Sequence, residues 1–147
     1  MNKSELELMG FVPTGNYTAT IERIELLDPS KKEGILFPSF QWVFKLIGGK
    51  HDGRFARGLT PRVLKRSKKP ASNEGRLLEF LDILHGTPIT PQVIKKYSST
   101  EVPINTLRSK YAVKDGKPQV VVKIRITVKY RESVPTDYRC TSIRSVI

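Results

Sequence analysis

The sequence predicts a mainly β domain, a five-stranded barrel with one helix between its third and fourth strands. Three observations predict it. Residues 40–46 alternate, with Phe40, Trp42, Phe44 and Leu46 on one side and Gln41, Val43 and Lys45 on the other. Residues 120–130 alternate more strictly, with Val120, Val122, Ile124, Ile126, Val128 and Tyr130 forming one apolar row. Period-two alternation of branched and aromatic residues is the pattern of a pleated strand with one buried face. Between these two stretches, Leu77, Leu78, Leu81 and Leu84 fall at helical spacing, widened by Phe80 and Ile83.

In chain order, residues 1–10 read as a flexible lead-in, 11–132 as the barrel domain, and 133–147 as a tail packed on or extending from the barrel. Pro13-Thr14-Gly15-Asn16 is a turn that launches the first strand. Tyr17, Ala19 and Ile21 share one face, and Ile24 with Leu26 share a face of opposite parity, so a bulge near Glu22-Arg23 bends the strand. The aromatic strand ends at Gly48-Gly49-Lys50-His51-Asp52-Gly53, where the chain turns back into a third strand. Residues 65–72 have loop composition and read as disordered. The leucine-rich helix starts at Ser72 or Asn73 and stops at Gly86-Thr87-Pro88. Thr90-Pro91 supplies an N-cap and an N1 proline for a short helix over 91–97. Residues 102–113 are expected to form the fourth strand, joined by an Asp115-Gly116 turn to a fifth over 120–130. The tail shows no clear element.

The charge names the partner class. The chain has 147 residues and a formal net charge of +12, with a pI near 10.0. Acids gather in the first third, and the remainder is strongly basic. From Arg54 to Lys69 there are seven Lys or Arg and no acid. Such a balance points to polyanions, nucleic acid first and an anionic membrane surface second. The single cysteine, Cys140, excludes an intramolecular disulfide and fits a reducing compartment. No signal peptide or apolar span is visible, so a cytoplasmic location is the default expectation.

Catalytic constellations are missing. His51 sits in a turn and His85 at a helix end, and no Cys/His spacing suits zinc. Gly48-Gly49-Lys50 lacks the spacing of a phosphate loop, and the acids do not cluster as metal-dependent nucleases require. The expectation is a protein that is not an enzyme and needs no cofactor or metal.

Five strands with a helix between the third and fourth is the order of an oligonucleotide/oligosaccharide-binding (OB) barrel, whose first strand must bend to serve both halves. The sequence also resembles a family of phage-encoded single-stranded DNA-binding proteins. The features that carry the resemblance are Pro13-Thr14-Gly15-Asn16-Tyr17, the alternating strand 40–46, Gly53-Arg54, the leucine-rich helix and Asp115-Gly116. The resemblance covers about residues 11–130 and implies a protein that coats single strands in replication or recombination. The sequence ends Tyr138-Arg139-Cys140-Thr141-Ser142-Ile143-Arg144-Ser145-Val146-Ile147, which departs from the acidic tip of many single-strand binders.

The leading reading is a sequence-tolerant single-stranded DNA binder, phage-encoded and acting in the host cytoplasm. Cations would follow the phosphates and aromatics would stack on bases. Arg54, Arg57, Arg62, Lys65, Arg66, Lys123, Arg125 and Lys129 are the candidates for backbone contact. Phe55, Trp42 and Tyr111 are the candidates for stacking, with Trp42 also open to a core role beside Phe40 and Phe44. The alternatives are an RNA-binding subunit of a ribonucleoprotein and a protein-interaction module. Other partners would be further copies of the chain or replication and recombination proteins.

Overall fold

One long bent strand joins the two halves of the sheet. β1 (Gly15–Leu27) pairs antiparallel with β2 (Ser39–Leu46) from Ala19 to Leu27. From Gly15 to Thr20 its other edge pairs with β4 (Lys123–Val128). The β1–β2 register shifts between Ile21 and Arg23, which places a bulge at Glu22 as the parity change requires. Ala19, Ile21 and Ile24 consequently all point into the core. Leu26, expected to share the face of Ile24, is instead 51% exposed, although its cross-strand partner Phe40 is buried.

A computed structural model describes residues 12–31, 35, 37–66, 73–116, 121–129 and 141–147. β3 (Phe55–Pro61) returns along β2, and β5 (Ser142–Val146) pairs with β4. The result is an antiparallel five-stranded sheet in the order β3-β2-β1-β4-β5. It is an open sheet, with β3 and β5 as its two edges.

The β2–β3 turn follows its chemistry. Gly48, Gly49 and Gly53 all adopt φ between 71° and 80°, a region that non-glycine residues rarely enter. The Asp52 carboxylate accepts the Gly48 N–H over 2.6 Å. His51-Asp52 is therefore part of a turn.

Between β3 and β4 lie more helices than the leucine-rich one and the short one over 91–97 that were expected. A 3₁₀ turn (Asn73–Gly75) leads into α1 (Arg76–His85). Gly86 closes α1 in the left-handed conformation, its N–H donating to Asp82 O. α2 (Pro91–Lys96) starts at Thr90, whose side chain accepts the Val93 N–H. The expected strand over 102–113 does not exist: α3 (Ile104–Tyr111) and α4 (Val113–Gly116) occupy that stretch. Ile104, Leu107 and Tyr111 recur at i, i+3 and i+7, a helical period, and all three pack on the core. Asp115-Gly116 accordingly ends a helix and does not turn a hairpin. α3 also completes β1, since Arg108 donates to Ile24 O over 2.9 Å where β4 no longer pairs.

The inner row of β4 is as expected at Ile124, Ile126 and Val128, all fully buried, while Val122 is only half-buried. Val120 and Tyr130 lie outside the described residues, as do the lead-in 1–10 and most of the basic loop, 67–72. The segment read as a tail without structure supplies the fifth strand, β5.

The core lies between the sheet and α1. Phe40, Trp42, Phe44 and Leu46 meet Leu77, Leu78, Phe80 and Leu81. Trp42 and Phe80 pack edge to face with centroids 5.3 Å apart. α1 also ties the late strand down, because the Arg76 guanidinium donates to Thr141 O (2.7 Å) and Ser142 Oγ (3.0 Å).

Candidate nucleic-acid interface

Strand alternation sends every second side chain away from the core, and the register places those side chains in rows across the sheet. In the first row Phe55, Lys45, Thr20 and Lys123 stand side by side on β3, β2, β1 and β4. With strands about 4.8 Å apart, four strands span about 14 Å. The next row is Arg57, Val43 and Arg23. On the other side, Arg125 lies between Thr18 and Ser145. One face of the sheet thus carries Arg23, Lys45, Arg57, Lys123 and Arg125, with Phe55 at its β3 edge.

Burial sorts these groups. Phe55, Lys45, Lys123 and Arg125 are exposed, and Phe55 keeps 43% of its surface. Arg57 and Arg23 are half-buried beside Val43, which is fully buried although it lies on the outer face. Their long aliphatic stems suit that position, covering apolar surface, and at Arg57 the guanidinium Nε is itself buried. The Arg23 guanidinium carbon sits 5.9 Å from the Phe55 ring centroid, at the outer limit of a cation–π contact. Arg23 Nε also donates to Glu25 Oε1 over 2.8 Å.

The residues singled out from the sequence divide into three groups. Phe55, Arg57, Lys123 and Arg125 come together on this face, with Arg54 exposed in the turn that enters β3 and Lys129 exposed just past β4. Lys65 and Arg66 go elsewhere: Lys65 pairs with Glu74 and Arg66 with Asp82, each over 3.6 Å, so they lie against the 3₁₀ turn and α1. The basic run 54–69 is therefore split between two parts of the molecule.

Three candidates stand away from this face. Trp42 is completely buried and donates its indole N–H to Thr60 Oγ1, so it cannot stack on a base. Arg62 is 11% exposed at its side chain and is held by four acceptors. It donates to Leu27 O (2.8 Å), Ser39 O (3.2 Å), Asp28 Oδ1 (3.2 Å) and Glu101 Oε1 (3.2 Å). It fastens loops and is not presented to a phosphate. Tyr111 stands on α3 rather than on a strand, and its ring packs against the core. Burial pushes its phenol pKa above the ordinary value.

Two cations were missed, Arg23 and Lys45. Lys45 was legible, since it occupies the outer parity of β2. Arg23 was hidden by the bulge, where the chain changes parity and the facing of one residue cannot be counted from its neighbours. The most exposed aromatic among the described residues, Phe37 at 69%, precedes β2 and stands apart from these rows.

Among the described residues, no three His, Cys, Asp or Glu gather into a metal site, and no helix is long and apolar enough to cross a membrane. Compared with family models, with curated proteins and with solved structures, the chain matches none.

Proposed function

We propose that this chain binds single-stranded nucleic acid, DNA before RNA, with little regard to base sequence, on the sheet face that carries Phe55. The carrying observation is the transverse row Phe55–Lys45–Thr20–Lys123, flanked by Arg57, Arg23 and Arg125. An exposed ring offers a π-face that every base can use, and the cations that follow it across the sheet suit the phosphates of neighbouring nucleotides. Phosphate contacts carry no sequence information, which fits a protein that covers strands rather than reads them.

The reading includes a five-stranded OB-type barrel. The strand order β3-β2-β1-β4-β5, with a bulged β1 shared by both halves, is the order such a barrel has when cut between β3 and β5. The two edges also approach: a Cβ added to Gly58 of β3 would overlap Thr141 O, just before β5. On this reading the chain is of the phage-encoded single-strand-binding kind, is not an enzyme, and acts in the cytoplasm during replication or recombination.

The test is anisotropy titration of a labelled oligothymidine against the wild-type chain, Phe55→Ala and the double variant Lys45→Ala/Lys123→Ala. Both variants should lose affinity, and log Kd against log salt should have a slope magnitude of about 2 to 3, as for three or four neutralised phosphates. Duplex DNA should compete poorly, and a matched RNA oligomer decides between the two nucleic acids. Unchanged affinity in both variants, or a slope near zero, sinks the reading.

A further inference from the structure

We infer that Glu25 sets the affinity of this face by occupying the Arg23 guanidinium, in the place a phosphate takes when a strand binds; the inference rests on the function proposed above. Three side chains carry it. Arg23 and Glu25 are two residues apart on β1, so both project from the outer face after the bulge. Their Nε–Oε1 distance is 2.8 Å, and their side chains keep 29% and 38% of their surface. The same guanidinium lies 5.9 Å from the centroid of Phe55. Glu25 therefore brings a carboxylate to a cation that stands beside the proposed stacking ring.

The chemistry of the exchange is simple. A carboxylate and a phosphate are both oxyanions, and both suit the planar donor fork of arginine. They repel one another, so a strand that places a phosphate at Arg23 must displace Glu25 or tolerate its charge. An ion pair this exposed contributes little by itself, which makes it replaceable. With Glu25 in place, Arg23 is held near Phe55 and the field of the face is reduced. With Glu25 displaced, Arg23 becomes one more phosphate contact beside the stacked base.

The test is a double-mutant cycle read by oligothymidine anisotropy, with Lys45→Ala/Lys123→Ala as the control for the face. Glu25→Gln keeps the shape and removes the charge. It should tighten binding about two- to fivefold, the range set by an exposed ion pair. It should also steepen the salt slope by about 0.7, one further phosphate. Arg23→Ala should weaken binding, and adding Glu25→Gln to it should bring no gain, since the two residues act as one unit. If Glu25→Gln gains equally in both backgrounds, the effect is general electrostatics and the inference fails while the function stands. If Glu25→Gln leaves affinity unchanged or weaker, the inference also fails. If the Lys45→Ala/Lys123→Ala control binds like wild type, the face is not the site and both fall together.

Discussion

Trp42 donates its indole N–H to Thr60 Oγ1 over 3.0 Å, and both residues are shut away from water. The pair crosses from β2 to β3 inside the core, and Thr60 gives the ring's polar edge the partner that a buried tryptophan needs. Thr60→Val keeps the volume and removes the acceptor. It should lower stability by about 1–3 kcal/mol, the cost of an unsatisfied buried donor. Urea unfolding followed by Trp42 emission measures it. The same emission should shift on unfolding and stay nearly constant when oligothymidine is added. Quenching of Trp42 by direct stacking would contradict its position.

Arg62 illustrates how a basic residue in a basic run can serve the fold. Its guanidinium joins the end of β1, the start of β2 and the segment at Glu101. The backbone repeats the connection, because Val102 N donates to Arg62 O over 2.9 Å. Arg62→Ala should lose about 1–3 kcal/mol of stability, since carbonyls of Leu27 and Ser39 lose a donor. Its affinity for oligothymidine, measured well below the melting temperature, should stay within about twofold, since the pinned side chain is given no phosphate to hold. A large affinity loss in a fully folded Arg62→Ala protein would return this residue to the interface.

Lys65 and Arg66 give the opposite contrast. Both are exposed, and their partners Glu74 and Asp82 stand 3.6 Å away. Exposed pairs of this length contribute about 0–1 kcal/mol. Lys65→Ser with Arg66→Ser should therefore leave the melting temperature nearly unchanged. Because these residues lie against the 3₁₀ turn and α1 rather than on the Phe55 face, affinity should fall less than in Lys45→Ala/Lys123→Ala. Differential scanning fluorimetry and anisotropy on the same samples compare them. An equal or greater loss would extend the strand's path down to α1.

Strands with one fully buried face were legible in the sequence, and elements whose pattern is short or mixed were not. β2 and β4 announce themselves because Phe40, Trp42, Phe44, Ile124, Ile126 and Val128 leave no second phase to choose. The bulge in β1 was readable for the same reason: Ile21 and Ile24 cannot both be buried in an unbroken strand. The stretch 102–113 reads as a strand only through the Asp115-Gly116 turn signal that follows it, whereas its apolar residues Ile104, Leu107 and Tyr111 pack at helical spacing. β5 was missed because only Ile143 of its five residues is buried. Its strand character comes from pairing with a partner distant in sequence, and no local pattern records that. The proposed interface was half legible: composition pointed to polyanions, but the division of a continuous basic run into face, fastener and helix contact depends on the fold.

Tyr111 carries a dependence on alkaline pH. Burial raises its pKa because the phenolate would be desolvated. The sign follows from linkage: above the unfolded value of 10.0, the unfolded chain has already lost the proton that the folded chain retains. The unfolded state then binds fewer protons, so stability falls as pH rises from about the unfolded pKa through the folded one. Below that window the contribution is fully present. Tyr111→Phe should keep the packing and flatten this part of the decline. Urea midpoints at neutral and alkaline pH test it, and a decline as steep in the variant as in wild type would assign the effect to other groups.

Gly58 tests whether the two edges of the sheet meet. It is buried in the middle of β3, pairs with Trp42, and has ordinary strand conformation, so its backbone angles do not require glycine. Space does: an added Cβ would overlap the carbonyl oxygen of Thr141, a backbone atom that cannot rotate away. That oxygen also accepts from Arg76 of α1, which limits its retreat. Gly58→Ala should therefore cost about 1–3 kcal/mol, the usual range for overpacking a filled interior. The damage should be uneven. β2 and β3 are joined by a short turn and a full ladder, whereas β5 is held by β4 and by Arg76. Amide hydrogen exchange in Gly58→Ala should accelerate most at Ser142–Val146 and least along β2, because the weakest-held element opens first. Arg76→Ala provides a second route to the same strand, with Gly58 left intact, and should loosen the same amides. If Gly58→Ala is neutral and β5 exchange is unchanged, then β3 and residue 141 are not in contact, and a barrel closed between β3 and β5 loses its support.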